Sequence, residues 1–79
     1  MDKKDLTQIN KGESVKVIEI NGGQKFKEKV DAIGLRIGSR IIKLSTQVLN
    51  GPITIKIGST KLAIGQGMAK KILVDEKKK

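Results

Sequence analysis

The sequence contains no cysteine and no histidine. Without cysteine the chain forms no disulfide, and a secreted domain of this size usually carries several, so we expect a reducing cytoplasmic location. Cysteine and histidine are also the usual side-chain ligands of ferrous iron, zinc and copper, so those ligands are absent. A nucleophilic serine or threonine would have no imidazole base beside it. We therefore expect no enzyme activity, no cofactor and no metal site.

One pair of carboxylates could in principle bind a metal ion. Glu28 and Asp31 lie three residues apart in a stretch that reads as a helix, so both could reach one cation. Lys25, Lys27 and Lys29 surround them, and their charges repel a cation. A solvent-exposed face with ion pairs is the better interpretation.

Aromatic residues and long apolar runs are also scarce. One phenylalanine is the only aromatic residue, which argues against a surface that stacks single-stranded bases and against a groove that grips polyproline. No aliphatic run is longer than that of Ile72-Leu73-Val74, which is far short of the roughly 20 residues of a membrane helix. The charged start Met1-Asp2-Lys3-Lys4-Asp5 does not resemble a signal peptide, so we expect no membrane insertion.

Positive charge is what the sequence has in excess, with a formal net charge of +9. The segments 1–5 and 75–79 hold five lysines against four acidic residues, so most of the excess belongs to the region between them. Such a charge attracts nucleic acid, an acidic protein surface or an anionic membrane surface. The alternative is that the lysines only keep a small domain soluble.

The first half of the chain predicts a strand and a helix. Ser14–Ile20 is rich in β-branched residues, and its alternation slips by one residue after Val17, which predicts a bulge. Over Gln24–Ile33, the residues Phe26, Val30 and Ile33 recur at helical spacing. Gly34 suits a left-handed helix end, and Leu35 is placed to complete a Schellman stop.

The second half predicts four more strands. They are Ser39 to about Leu44 with a possible extension to Val48, then Ile53–Ile57, Thr60–Ile64 and Lys71–Val74. Gly58-Ser59 suits a two-residue hairpin, and residues 65–69 read as one helical turn. Short strands with glycine-marked corners predict a mainly β fold, a small five-stranded antiparallel barrel of SH3-like type with one short helix between strands 1 and 2. We expect a flexible N-terminus at 1–5, the domain at 6–74 and a flexible charged tail at 75–79.

The ordered set of these features resembles the FeoA family of small ferrous iron transport proteins. The residues that carry the resemblance are Leu6, Gly12, Val15, Val17, Asn21-Gly22-Gly23, Ala32-Ile33-Gly34-Leu35, Arg36-Ile37-Gly38-Ser39, Gly51-Pro52-Ile53, Gly58, Leu62-Ala63-Ile64, Ala69, Ile72 and Val74. Ile37 departs from the family pattern, which usually has proline there, and Gly65-Gln66-Gly67 departs from it as well.

The resemblance implies an SH3-like barrel that assists FeoB, a membrane permease with a cytosolic GTP-binding domain. The chain would bind this permease and regulate or assemble it through protein–protein contacts, without chelating iron. The alternative is a nucleic-acid-binding SH3-like barrel of ribosomal or transcription-factor type, because the net charge suits phosphate. The resemblance leaves the oligomeric state open.

Two sets of residues are candidates for binding the partner. The basic set, if neighbouring strands pair in sequence order, could form one positive face; it consists of Arg36, Arg40, Lys43, Lys56 and Lys61. The second set is the apolar pair Val48 and Leu49 in a stretch expected to end a hairpin, since an exposed apolar tip often marks an interface. The alternatives are dispersed solubility charge for the first set and a continued strand for the second.

Overall fold

The computed structural model describes residues 4–45 and 51–76. Within these ranges the elements follow the order strand, strand, helix, strand, strand, strand, helix, strand. They are β1 (Lys4–Asp5), β2 (Ser14–Ile20), α1 (Gln24–Ala32), β3 (Arg40–Lys43), β4 (Ile53–Ile57), β5 (Thr60–Ile64), α2 (Gln66–Ala69) and β6 (Ile72–Glu76).

All six strands belong to one antiparallel sheet in the order β1-β6-β2-β3-β4-β5. The five predicted strands are present, and β2 has the predicted bounds. The sixth strand, β1, was not predicted, because its two charged residues carry no periodicity and become a strand by pairing with Leu73 and Val74 of β6. The fold is mainly β and SH3-like, as predicted, with one strand more than expected.

The predicted slip in β2 is confirmed as a change of register. Val17 pairs with Val74 of β6, but Glu19 pairs with Leu73, so β2 holds one extra residue between these two pairs. An extra residue bends the strand and increases its twist. This bend follows Val17, whose backbone N–H and C=O bond to Ser39 and Gly38 before β3.

Helix α1 ends in the predicted Schellman stop. Gly34 has a φ of 93°, and its N–H donates to the Asp31 carbonyl at 3.0 Å. The N–H of Leu35 donates to the Val30 carbonyl at 2.9 Å. These two bonds satisfy carbonyls that a helix end leaves open. One part of the prediction is wrong: Ile33 is the C-cap and is 38% exposed, whereas Val30 is fully buried.

The core is built from aliphatic side chains of the N-terminal segment, both helices and the strands. Its buried members are Leu6, Ile9, Val15, Val17, Val30, Leu35, Ile41, Ile53, Ile55, Ile64, Ala69, Ile72 and Val74. Phe26 packs against it from α1 while remaining half-exposed. Within the described residues the core is continuous from the N-terminal segment through α1 to β6, so the helix belongs to the same domain as the sheet.

The paired strands extend beyond both ends of the predicted domain. Lys4 and Asp5 lie in β1, and β6 continues to Glu76. The flexible termini and the domain bounds 6–74 stay predictions. In the part of the chain that the structure describes, no helix is long and apolar enough to cross a membrane.

Candidate functional site

The alternation of β3 decides which side chains reach the surface. Ile41 and Lys43 are buried, whereas Arg40 is exposed and Ile42 is half-buried. Because successive side chains of a strand point to opposite faces, Arg40 and Ile42 lie on the outer face of the sheet. Buried and more exposed side chains alternate in the same way in β2 and β4. Their buried members are Val15, Val17, Ile53 and Ile55.

Strand register collects four cationic side chains on this outer face. Arg40 lies opposite Lys16 of β2, and Lys56 lies opposite both Ile42 of β3 and Lys61 of β5. We call Lys16, Arg40, Lys56 and Lys61 the basic face. Lys16, Arg40 and Lys61 are exposed and Lys56 is half-buried.

The charges of the basic face are largely unbalanced. Asp75 of β6 lies opposite Lys16, but none of the four cations forms an ion pair with a residue in the described ranges. Lys56 and Lys61 face each other directly, and like charges in such a cross-strand pair lower stability. An anion placed over this face would relieve that repulsion.

Lys43 does not belong to the basic face, which corrects the predicted set. Its side chain is 1% exposed, and its Nζ donates to the Ile9 carbonyl at 2.8 Å. Burial lowers the pKa of Lys43, and the negative charges of Asp5 and Glu13 partly oppose that shift. Lys43 therefore holds the N-terminal segment onto β3 from inside.

Arg36 does not belong to the paired residues of the basic face; it lines a cleft beside the end of α1. Its Nε and the Asp31 Oδ1 form an exposed ion pair of 2.6 Å. Its backbone N–H donates to the Ser39 Oγ at 3.0 Å. The cleft has a volume of about 420 Å³, and we call it the corner cleft; its lining residues are Ile20, Lys27, Asp31, Leu35, Arg36 and Ile37.

The remaining predicted residues have different outcomes. Val48 and Leu49 lie outside the described residues, so their role stays a prediction. Asp31 pairs with Arg36, and Glu28 accepts a bond of 3.3 Å from the Gln24 Nε2. Across 4–45 and 51–76, no three or more Asp or Glu side chains lie close enough to hold a metal ion.

Sequence reasoning missed Lys16, although a signal for it was present. Lys16 stands between Val15 and Val17, so the alternation of this strand already placed it on the solvent side. What the sequence did not reveal was that Lys16 pairs with Arg40 across the β2–β3 junction.

The structure thus defines a small SH3-like β domain with a cationic outer face and a cleft beside the end of α1. A family model described as the FeoA domain matches residues 4–76. The chain therefore belongs to the FeoA family, which is implicated in ferrous iron transport.

Two relatives match nearly the whole chain. "Putative Fe(2+) transport protein A" of Methanocaldococcus jannaschii is 35% identical over 71 residues, covering 90% of this chain and 84% of the relative. The crystal structure of an iron uptake regulatory protein, FeoA, superposes with a TM-score of 0.83 at 31% identity, covering 95% of this chain and 97% of that protein.

The fold also occurs inside a larger protein. A manganese-dependent transcriptional repressor in complex with manganese superposes with a TM-score of 0.88 at 21% identity. The match covers 98% of this chain but 38% of the repressor. This likeness concerns the fold alone.

Proposed function

We propose that this protein is a cytoplasmic accessory protein of ferrous iron uptake, without enzyme activity of its own. It binds the cytosolic domain of a FeoB-type permease and regulates or assembles that transporter through protein–protein contacts. Membership of the FeoA family and the 35% identity to a relative named for Fe(2+) transport support the transport role. The basic face supports a docking role.

The observation that carries the proposal is the direct pairing of Lys56 with Lys61 beside Arg40. The pairing leaves a like-charge repulsion that an acidic surface placed over both lysines would relieve. Ile42 lies half-buried among these charges and offers an apolar centre, and a docking patch typically has such a centre with a polar rim. An acidic surface with one or two apolar side chains would complement it.

Charge reversal on the basic face tests the proposal. In the double variant Lys56→Glu/Lys61→Glu, the affinity for the purified cytosolic domain of the permease should fall about tenfold or more, because attraction becomes repulsion. Isothermal titration calorimetry measures this affinity, and circular dichroism checks that the variant remains folded.

The matched control is Lys25→Glu/Lys29→Glu, which alters the net charge equally on the exposed side of α1. This control should change the affinity by less than about threefold, the range expected of exposed charges outside an interface. Equal losses in both double variants would mean that net charge alone attracts the permease. Unchanged binding of Lys56→Glu/Lys61→Glu would overturn the proposed docking face.

The basic face also keeps the nucleic-acid alternative testable. A phosphate-binding face releases counterions, so its affinity for generic duplex DNA or RNA would fall by orders of magnitude between about 50 and 200 mM salt. We expect only weak binding of such duplexes at about 150 mM salt. Tight binding with a steep salt slope, lost in Lys56→Glu/Lys61→Glu, would favour the alternative.

A further inference from the structure

The corner cleft combines an apolar floor with a cationic rim. Ile20 and Ile37 contribute the apolar surface, and Leu35 lies beneath it. Leu35 is fully buried, whereas Ile37 is 66% exposed. When a ligand covers an apolar side chain that is otherwise exposed to water at the edge of a cleft, the burial contributes favourably to the free energy of binding.

The charges around this floor favour an anion. Asp31 takes up the Nε of Arg36 and leaves both Nη groups of that guanidinium without a partner among the described residues. Lys27 lies one helical turn before Asp31 and forms no ion pair within those residues. In the described part of the chain, the unpaired Lys27 and the open Nη groups of the paired Arg36 therefore stand against one carboxylate.

Two of the carbonyls at the negative end of α1 are satisfied within the helix stop. The carbonyls of Val30 and Asp31 already accept the two bonds of the Schellman stop. A carboxylate above the cleft would find these two carbonyls already paired, and the Arg36 and Lys27 side chains on the rim would attract it.

We propose that the corner cleft binds a short peptide segment of another protein in which acidic residues alternate with leucine-like side chains. Its volume of about 420 Å³ accommodates one or two such side chains, and the exposed Ile37 extends the apolar surface for a chain that continues past it. The chain's own last residues, 77–79, are lysines and would be repelled by Lys27 and Arg36. This site goes beyond the proposed permease contact, because it shares no residue with the basic face.

The test uses a labelled octapeptide, Gly-Ser-Glu-Leu-Glu-Leu-Ser-Gly, titrated into the full chain. Fluorescence anisotropy gives its dissociation constant, and amide chemical shifts locate it on the protein. Shifts should concentrate at Ile20, Leu35 and Ile37. Peptides with glutamine for glutamate or alanine for leucine should each bind more weakly, since one loses the charge contacts and the other loses the apolar ones.

Variants of opposite expected sign separate binding from folding. Lys27→Gln and Arg36→Gln should each weaken peptide binding about two- to fivefold, the range for exposed charge pairs. Asp31→Asn should strengthen binding by a similar factor, because it removes the repelling carboxylate and frees the Nε of Arg36. A merely structural role for this ion pair would not increase affinity.

The matched controls come from the same residue types. Lys25→Gln lies on the same helix but does not line the cleft, and Arg40→Gln changes the other arginine of the chain, which belongs to the basic face. Neither should change the affinity by more than about 1.5-fold. Shifts centred on Lys16, Arg40, Lys56 and Lys61, or no saturable binding at millimolar peptide, would overturn the corner cleft as the site.

Discussion

Lys43 shows how one side chain joins distant parts of a small domain. Its aliphatic stem lies in the interior with Ile41, and its ammonium group reaches the Ile9 carbonyl. Around it, the Gly12 N–H donates to the Lys43 carbonyl and the Lys43 N–H donates to the Glu13 carbonyl. Main chain and side chain of one residue thus fasten the segment 9–13 to β3.

The pH dependence of stability provides a prediction for this residue. Because burial lowers the pKa of Lys43 below 10.5, the unfolded chain binds more protons than the folded chain between the two values. This group therefore makes the unfolding free energy rise with pH through that window. Below the lowered pKa both states are protonated, and the contribution is constant.

Lys43→Met isolates this effect, because methionine retains much of the stem and does not titrate. The unfolding free energy of the native chain minus that of Lys43→Met should increase as the pH approaches 10.5. Urea denaturation at several pH values measures both. A difference that stays level or falls over this range would contradict a lowered pKa.

At the scale of the element, helix α1 packs against the core through one side of its surface. Val30 is fully buried, whereas Ile33 is 38% exposed, although the spacing of both suggested one apolar face. The helix ends at Ala32, so Ile33 already leaves the helical path as its C-cap. Phe26 adds a contact at the other end, where the Lys71 Nζ lies 5.0 Å from the centre of its ring.

A pair of truncations tests this division of α1. Val30→Ala should lower the unfolding free energy by about 2 kcal/mol, since it removes two buried carbon atoms and leaves a cavity. Ile33→Ala should lower it by less than about 1 kcal/mol, because much of that side chain stays in water. Urea denaturation of both variants gives the comparison, and losses of equal size would argue that Ile33 is also buried in solution.

These elements show what the sequence could and could not predict. Local patterns sufficed for β2, for the Gly34 stop and for the two-residue turn at Gly58-Ser59 that sets Lys56 against Lys61. They failed for β1, whose strand exists only because β6 pairs with it. The alternation of β3 put Ile41 and Lys43 on one side, yet a lysine in that position gave no indication that this side was the inner one.

At the scale of the whole molecule, the net charge of +9 matters through its distribution. Cationic side chains gather on the basic face and around the corner cleft, which share no residue. If the basic face docks the permease, the affinity of the native chain should fall as salt rises from about 50 to 300 mM, because exposed charges are screened over a Debye length of about 10 Å or less. Repeating the calorimetric titration across this range measures the slope.

The same titration with Lys56→Glu/Lys61→Glu provides the comparison for this slope. Its affinity should depend on salt more weakly than that of the native chain, or should even rise with salt, because the two reversed charges repel an acidic surface. Identical slopes for both proteins would place the charge contacts of the complex elsewhere.

The position of β6 in the sheet has a consequence for biosynthesis. β6 comes last among the described strands, yet it lies between β1 and β2 and carries Ile72 and Val74 into the core. While the ribosome is still adding these residues, β1 has no partner and β2 has an open edge. The nascent domain therefore stays incomplete until β6 has left the exit tunnel, and during that interval the aliphatic side chains that β6 covers stay exposed.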